Sequence, residues 1–188
     1  LELRVVPMTD DRLRTIVTVA EDGSEISFQD YFVRLRHSVP VSGVRFDHAD
    51  AQPTAIARAA IADADAVLIA PSNPLVSIGP IRALAGIDDL LASRRDRVVA
   101  VSPIVGGAAL KGPADRMLRE LGMEPSVAEV ARLYAPIAGT LVIDPADADL
   151  VGEVESAGVR CVVTPSVMST PDIARELAER CMAAAAGR

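Results

Sequence analysis

Aromatic residues are scarce in this sequence. Phe, Tyr and Trp together make up 3% of the 188 residues, whereas hydrophobic residues make up 50%. A core built mainly from Ala, Val, Ile and Leu needs no aromatic side chains, and a chain of this length can bury such a core without disulfides or a metal. The composition therefore predicts a globular protein rather than a disordered one.

Cysteine and long apolar runs are also in short supply. The two cysteines, Cys161 and Cys181, lack the spacing of metal ligands, so we expect both to be reduced and buried, as in a reducing cytoplasm. No apolar run is long enough to span a membrane, and the first residues lack the charged region and apolar core of a signal peptide. We expect a soluble, cytoplasmic protein without a membrane partner.

Positive charge is outweighed by negative charge. The chain has 19 Lys and Arg against 26 Asp and Glu, a formal net charge of -7. Such a chain repels phosphate backbones and anionic membrane surfaces. We therefore expect no nucleic-acid partner.

The first part of the chain is predicted to form strands and one helix. Residues 3–7 and 13–20 are rich in β-branched residues and are separated by a turn cluster, which indicates a pair of strands. Ser27 is a candidate cap for a helix that runs to about Leu35, and residues 41–46 are predicted to form a further strand.

From about residue 53 the pattern alternates between helices and short apolar strands. Runs that are apolar throughout indicate strands covered on both faces, and a repeated βα order indicates a parallel sheet. The fold class is thus predicted to be α/β, with a doubly wound, Rossmann-like, mostly parallel sheet and helices on both faces. We expect a single domain, 1–188, with a hairpin and helix region in 1–52 and βα repeats in 53–188. The predicted strands are 66–70, 97–101, 140–143 and 159–163, and the predicted helices are 55–62, 77–93, 113–121, 126–134, 147–157 and 170–184.

The first strand end with unusual residues lies after residue 70. Pro71 and Pro74 flank Ser72 and Asn73, and a stiff backbone presents two polar side chains with little entropy left to lose on binding. Ser77 and Gly79, which follow at once, would then open a helix and form a phosphate cradle. The alternative is a proline-rich turn whose polar residues only cap the next helix.

The second unusual strand end lies after residue 101. Gly106, Gly107 and Gly112 would let the backbone approach a ligand closely, Lys111 offers a charge to a phosphate, and Pro113 suits the first turn of a helix. The stretch resembles a phosphate loop but is not a Walker motif. The alternative is a flexible connection with a solvated lysine.

Other candidates for chemistry carry less weight. Asp10 and Asp11 fit either a metal site or an Asx-turn, and His37 and His48 have no nucleophile near them and are interpreted as surface residues. The aspartates in 144–149 indicate a strand end followed by a helix cap.

Taken together, the two strand-end loops resemble the signature segments of the 2-phospho-L-lactate transferase family of coenzyme F-420 biosynthesis. The two segments occur in family order, and weaker similarity covers essentially the whole chain. The signature segments are 70–81 and 101–115, and the supporting ones are 7–12, 28–32, 141–144 and 164–168.

The resemblance implies a transferase reaction between small molecules. In this family the hydroxyl of the deazaflavin Fo attacks the β-phosphorus of a guanosine diphosphate-linked acid, GMP leaves, and a phospholactyl or phosphoenolpyruvyl unit stays on Fo. It also implies Mg²⁺ as the cofactor and a homodimer. Such chemistry needs positioning and charge neutralisation rather than a nucleophile, which fits the residues of both loops.

The resemblance also implies roles for particular residues. It places eight of them in contact with the nucleotide or its diphosphate: Ser72, Asn73, Ser77, Gly79, Ser102, Gly106, Gly107 and Lys111. No metal ligand is assigned in this chain. Family members begin with a strand, a glycine-rich loop and aspartates for the deazaflavin and metal, none of which precedes Leu1. We therefore expect the catalytic residues in a missing N-terminal half, a sheet without the family's N-terminal strands, and no turnover by this chain alone.

Two other classes stay open. One is the related gluconeogenesis-factor type of nucleotide-sugar-binding regulatory protein, which would not bind Fo. The other is a non-catalytic α/β module or inactive fragment, and a module of that kind would not bind guanine nucleotides at all.

Overall fold

The computed structural model describes residues 3–47 and 51–187 and divides the chain into two compact units. The first unit holds the residues up to Ala64 together with Leu75–Leu90, and the second holds Asp65–Pro74 and the residues from Leu91 onward. Compact units within one chain need not be separate domains, so the single domain 1–188 stays a prediction.

A three-stranded antiparallel sheet forms the first unit's framework. Its strands β1 (Arg14–Val19), β2 (Glu25–Ser27) and β3 (Val41–Asp47) lie in the order β2-β1-β3. The strands predicted at 13–20 and 41–46 are confirmed, but the strand predicted at 3–7 is wrong. Because β2 and β3 occupy both edges of β1, residues 3–7 have no edge of β1 on which to pair.

The first unit also has a helical segment between β2 and β3 and another after β3. A π-helical turn, Asp30–Arg34, comes after β2, and the Ser27 hydroxyl accepts a hydrogen bond from the Asp30 N–H at 3.0 Å, as predicted for a cap. Helix α1 (Ala55–Asp63) begins after Thr54, whose hydroxyl accepts from the Ala57 N–H at 3.1 Å. Both ends thus satisfy an N–H group that has no partner inside the helix.

The helix predicted at 77–93 is wrong at its start and in its continuity. A π-helical turn, Pro74–Ile78, runs directly into α2 (Gly79–Arg82), and α3 (Ile87–Ser93) follows after a break. The helical run begins at Pro74 because proline is well suited to the first turn of a helix, where its missing N–H costs no hydrogen bond.

A four-stranded parallel sheet organises the second unit. Its strands are β4 (Val67–Ile69), β5 (Val98–Val101), β8 (Thr140–Ile143) and β9 (Arg160–Val163), and helix α7 is Pro171–Ala185. The strands lie in the order β4-β5-β8-β9, and every residue of β5 and β8 is buried. Val99, Val101 and Val142 pack against α7, and Val98 and Leu141, on the opposite face, are fully buried too. The predicted α/β fold with a parallel sheet flanked by helices is therefore confirmed.

The remaining helices of this unit lie close to their predicted positions. Helix α5 begins after Ser126, whose hydroxyl accepts from the Glu129 N–H at 3.2 Å. A short 3-10 helix precedes β5 and a longer one links β8 to α6. These elements are α4 (Ala114–Glu120), α5 (Val127–Tyr134), α6 (Val151–Ser156) and the 3-10 helices Arg95–Arg97 and Pro145–Leu150.

A small hairpin, which the sequence pattern did not predict, follows β5. Strands β6 (Ile104–Val105) and β7 (Ala108–Ala109) pair antiparallel, with Ile104 opposite Ala109 and Val105 opposite Ala108. Two residues per strand are too few to show alternation between polar and apolar side chains, so the periodicity of the sequence carries no signal here.

The structure also bears on the cysteines and on membrane spans. Both cysteines are free; Cys181 is buried, Cys161 is half-buried, and burial raises the pKa of Cys161 to about 11. Within 3–47 and 51–187, no helix has the length and hydrophobicity needed to cross a bilayer.

Gly139, just before β8, offers a test of the sheet's packing. A Cβ atom added there would lie 2.8 Å from the Arg95 carbonyl oxygen, whereas one at Gly152 in α6 would meet nothing within 4 Å. We expect Gly139→Ala to lower the free energy of unfolding by about 1–3 kcal/mol, because backbone must shift to admit the methyl group. Gly152→Ala should instead raise it by roughly 0.5–1 kcal/mol. Urea denaturation of both variants measures the difference, and equal stabilities would contradict the packing described.

Candidate functional site

The two strand-end loops singled out in the sequence lie at one edge of the parallel sheet. Strands β4 and β5 are paired in parallel, with Ile69 opposite Ala100, so both strands end at the same edge of the sheet. The Asn73 side-chain nitrogen lies 3.7 Å from the sulfur of Met117, which is in α4. The loop after β4 therefore contacts the helix that follows the loop after β5.

Asn73 and Ser72 occupy the first loop. Both are half-buried and belong to the second unit, where the proline on either side limits the backbone between them. Asn73 is the only asparagine in the chain. Its amide can both donate and accept hydrogen bonds, which suits contact with a phosphate or a base.

Gly79 is the first residue of α2, as predicted, but Ser77 lies in the π-helical turn Pro74–Ile78 that precedes it. They belong to the first unit, whereas Ser72 and Asn73 belong to the second. The candidate site therefore consists of residues of the second unit.

Ser102, the residue after β5, is buried. It is 2% exposed; its hydroxyl donates to the Ile104 carbonyl oxygen at 2.9 Å and accepts from the Ile104 N–H at 3.1 Å. The hydroxyl thus shapes the turn that starts the β6–β7 hairpin.

Gly106 and Gly107 form the two-residue tip of that hairpin. Their φ angles are 58° and 77°, the left-handed values that a type I′ turn requires at both positions. Such a turn is a compact reversal of the chain and does not open into a helix. The glycines therefore serve the reversal; Gly106 is exposed and Gly107 is half-buried.

Charged side chains hold both residues of the tip. The two carboxylate oxygens of Asp147 each lie 3.0 Å from the Gly106 nitrogen, and the Arg119 guanidinium donates to the Gly107 carbonyl oxygen at 3.3 Å. Arg119 also pairs with Asp115 at 3.0 Å. The Gly106 N–H, expected to face a ligand, donates instead to Asp147.

Asp147 is a buried acid that the sequence pattern placed only in a helix cap region. It is 3% exposed; burial raises its pKa, the nearby Asp144 and Asp149 raise it further, and the hydrogen bond from Gly106 opposes them. Its four-residue interval from the end of β8 was visible in the sequence, but nothing there indicated its contact 41 residues earlier in the chain.

Lys111 follows the hairpin and is exposed. It is the only lysine in the chain, and no carboxylate within the described ranges comes within ion-pair distance of it. An ammonium group without a carboxylate partner is available to an incoming anion. Lys111 is thus placed to offer its positive charge to a phosphate, the property for which the sequence analysis selected it.

Asp144 joins two further strand ends at this edge. As predicted, it caps the helix after β8, accepting from the Ala146 N–H at 3.1 Å. It also accepts from the N–H of Ser166, beyond β9, at 2.9 Å and from its hydroxyl at 3.3 Å. Burial alone would raise the pKa of Asp144, but the hydrogen bonds from Ser166 and Ala146 lower it below its ordinary value.

The other candidates have structural contacts. The Asp11 carboxylate accepts from the Gln52 N–H at 2.8 Å, and the Asp11 N–H donates to the Thr9 hydroxyl, so the local turn is closed by Thr9 and not by an aspartate side chain. The His37 ring lies 5.5 Å from the Phe32 ring, centre to centre. His48 lies outside the described residues.

Acidic side chains at the edge do not form a Mg²⁺ site. Asp144 and Asp147 direct their oxygens to backbone N–H groups and to a serine hydroxyl, and the part of the chain that the structure describes has no group of three His, Cys, Asp or Glu residues able to hold a metal. The donor set of the described residues therefore does not fit the metal that the resemblance implies.

An open depression of about 1040 Å³ lies at the other edge of the sheet. It is lined by residues just before β4 and β5, such as Ala66 and Arg97, and by the last turns of α7. Ligands of open α/β sheets bind at the carboxyl ends of the strands, so the depression is not the expected place for one.

Comparison with known proteins identifies the family. The family described as 2-phospho-L-lactate transferase CofD matches residues 1–165. The chain belongs to this family. It is 42% identical over 186 residues to the phosphoenolpyruvate transferase of Streptomyces coelicolor, covering 96% of this chain and 58% of that protein. It is 36% identical over 188 residues to the 2-phospho-L-lactate transferase of Methanocaldococcus jannaschii, covering 96% of this chain and 59% of that protein.

A structural likeness agrees with the fold. The crystal structure of protein BH3568 from Bacillus halodurans matches with a TM-score of 0.65 at 15% identity, over 95% of this chain and 61% of that one. Such low identity supports the fold and nothing finer.

The chain spans about 58% of the length of the transferase relatives. The names of these relatives place the family among transferase enzymes.

The Asp144 contacts predict a defined acid dependence of stability. Because its pKa is lowered in the folded state, its contribution is complete above the ordinary value of 3.8 and is lost as the pH falls through the lowered value. We expect Asp144→Asn to be less stable than the unmodified chain at neutral pH, with a difference that shrinks on acidification. Urea denaturation at a series of pH values measures it. The exposed Asp149→Asn provides the matched control, and a pH-independent difference at Asp144 would contradict the prediction.

Proposed function

We propose that the protein carrying this chain transfers a phospholactyl or phosphoenolpyruvyl group from a guanosine diphosphate-linked donor to the deazaflavin Fo, with release of GMP. The observation that carries the proposal is that both signature loops follow strands ending at one sheet edge, where Asn73 of the first loop contacts Met117 in the helix after the second. Family membership supports the reaction class, and the names of the relatives support the two acids.

The proposed reaction replaces a phosphoanhydride bond with a phosphate ester bond. The Fo hydroxyl oxygen attacks the phosphorus that carries the acid and releases its proton to the solvent. The bond between this phosphorus and the oxygen bridging it to the guanosine phosphate breaks, and GMP leaves with that oxygen. Negative charge accumulates on the leaving group, so cationic and hydrogen-bonding groups at the diphosphate accelerate the transfer.

Two side chains of this chain suit that task. Lys111 would neutralise charge on the diphosphate, since it is exposed and has no carboxylate partner within the described ranges. Asn73 would donate its amide hydrogens to the donor from a loop that two prolines stiffen. Ser72, Ser102, Gly106 and Gly107 remain part of the proposed nucleotide site, with Ser102 and Gly106 acting through the backbone they shape. The roles that the resemblance implies for Ser77 and Gly79 stay predictions.

Other parts of the proposal rest on the resemblance alone. Mg²⁺ would take its ligands from the diphosphate and from groups other than the described residues of this chain. A homodimer and a cytoplasmic location are likewise inferred from the family, and the two free cysteines fit a reducing compartment.

The reaction can be tested with a chimaera. We define the chimaera as this chain joined to the part of the Streptomyces coelicolor relative that the chain does not match. Incubation with Fo, Mg²⁺ and each guanylylated acid, followed by mass spectrometry, should show a phosphodiester adduct of Fo and free GMP. The whole Streptomyces enzyme serves as the positive control. Guanine-nucleotide binding by a folded chimaera without any adduct would favour a nucleotide-binding regulator and reject the transfer.

Asn73 should contribute directly to nucleotide affinity. We expect Asn73→Ala to weaken binding of GDP to the chimaera by roughly tenfold, because an amide hydrogen bond to a charged phosphate is lost. Asn73→Asp should weaken it further, since a carboxylate repels the diphosphate. Isothermal titration calorimetry measures all three proteins, and unchanged affinity in both variants would reject the assignment.

Lys111 should contribute through its charge. We expect Lys111→Ala to weaken GDP binding and to make the remaining affinity less dependent on salt. Arg180→Ala is the matched control because it removes the same charge from an exposed position in α7. Equal losses in the two variants, again by calorimetry, would show that net charge alone is responsible.

A further inference from the structure

The hairpin tip is held more firmly than a two-residue turn requires. Gly106 and Gly107 satisfy the backbone angles of the turn by themselves. In addition, an acid and an arginine from other elements bind its N–H and carbonyl groups. A turn that only connects two strands needs neither contact.

The Asp147 contact is the shorter and the more buried of the two. The carboxylate is 3% exposed and lies equidistant, at 3.0 Å, from Gly106 with both oxygens. A buried carboxylate without partners is costly, and hydrogen bonds to a charged group are stronger than those between neutral groups. The tip is therefore anchored to the 3-10 helix after β8.

The hairpin in turn determines the position of the Lys111 backbone. Strand β7 ends at Ala109, so a single residue, Leu110, separates the hairpin from the lysine. On the other side, Arg119 holds the Gly107 carbonyl from α4, which begins shortly after Lys111. Both ends of the segment that carries the lysine are thus fixed.

We propose that Asp147 is a positioning residue for the donor's diphosphate: by holding the Gly106 N–H it fixes the β6–β7 hairpin and with it the base of Lys111. This inference rests on the proposed function. A long, flexible lysine side chain loses entropy when it binds a phosphate, and an anchored base reduces that loss. Asp147 itself does not contact the substrate, because its oxygens face the Gly106 N–H.

The test uses two changes at Asp147 in the chimaera. Asp147→Leu removes both acceptor oxygens and keeps the number and branching of the side-chain heavy atoms, and Asp147→Asn keeps one acceptor and removes the charge. The same two changes at Asp149, which is exposed in the same 3-10 helix, are the matched controls. For each protein we would measure hydrogen exchange of the hairpin peptide, the KM for the donor, kcat and the melting temperature.

We expect Asp147→Leu to speed exchange in the hairpin and to raise the KM for the donor roughly tenfold. Asp147→Asn should fall between it and the unmodified chimaera, and the Asp149 variants should match the unmodified chimaera. In a Lys111→Ala background, Asp147→Leu should add little to the KM, because the residue acts through the lysine. A purely structural role would instead lower the melting temperature with the KM unchanged.

The outcomes separate this inference from the proposed function. Faster exchange with an unchanged KM, or fully additive effects with Lys111→Ala, would overturn the positioning role while the transfer reaction stands. If Asp147→Leu does not fold, Asp147→Asn and its double variant with Lys111→Ala decide the matter. An unmodified chimaera that binds no guanine nucleotide and makes no adduct would overturn the proposed function and the positioning role together.

Discussion

Parallel pairing of β4 with β5 is the constraint on which the candidate site depends. In a parallel pair, both strands end at the same edge of the sheet, so residues about 30 positions apart in sequence are brought together there. The 3.7 Å approach of Asn73 to Met117 follows from this geometry. The same pairing of β8 with β9 allows Asp144 to bind Ser166 at the edge. An antiparallel arrangement would have sent these loops to opposite edges.

The sequence predicted the parts of the fold that have a strong local signal. Strands buried on both faces are apolar throughout, so β5 and β8 were located within a residue or so, and Asp144 was predicted to be a cap because of the side-chain chemistry of helix starts. Residues 3–7 show why such signals fail. Their β-branched pattern fits a strand, but strand formation depends on a free edge, and β2 and β3 have taken both edges of β1.

The candidate site was predictable in its position but not in its chemistry. A glycine pair before a lysine fits both a phosphate loop and a hairpin tip, and the two differ only in where the N–H groups point. The contact that decides between them joins Gly106 to Asp147, far along the chain. Because Asp147 accepts from the Gly106 N–H, the proposed anion-binding role falls to Lys111 and Asn73. Ser77 and Gly79 lie within a helical run that starts at Pro74.

The presence of a single lysine has a practical consequence. Coupling to carboxyl-activated beads or sensor surfaces uses side-chain amines, and Lys111 is the only one the chain can offer besides its terminus. A chain coupled through Lys111 would be tethered at the candidate site itself, in an orientation that blocks ligand entry. Attachment through an affinity tag avoids the artefact, and a comparison of the two orientations would itself report on what enters that edge of the sheet.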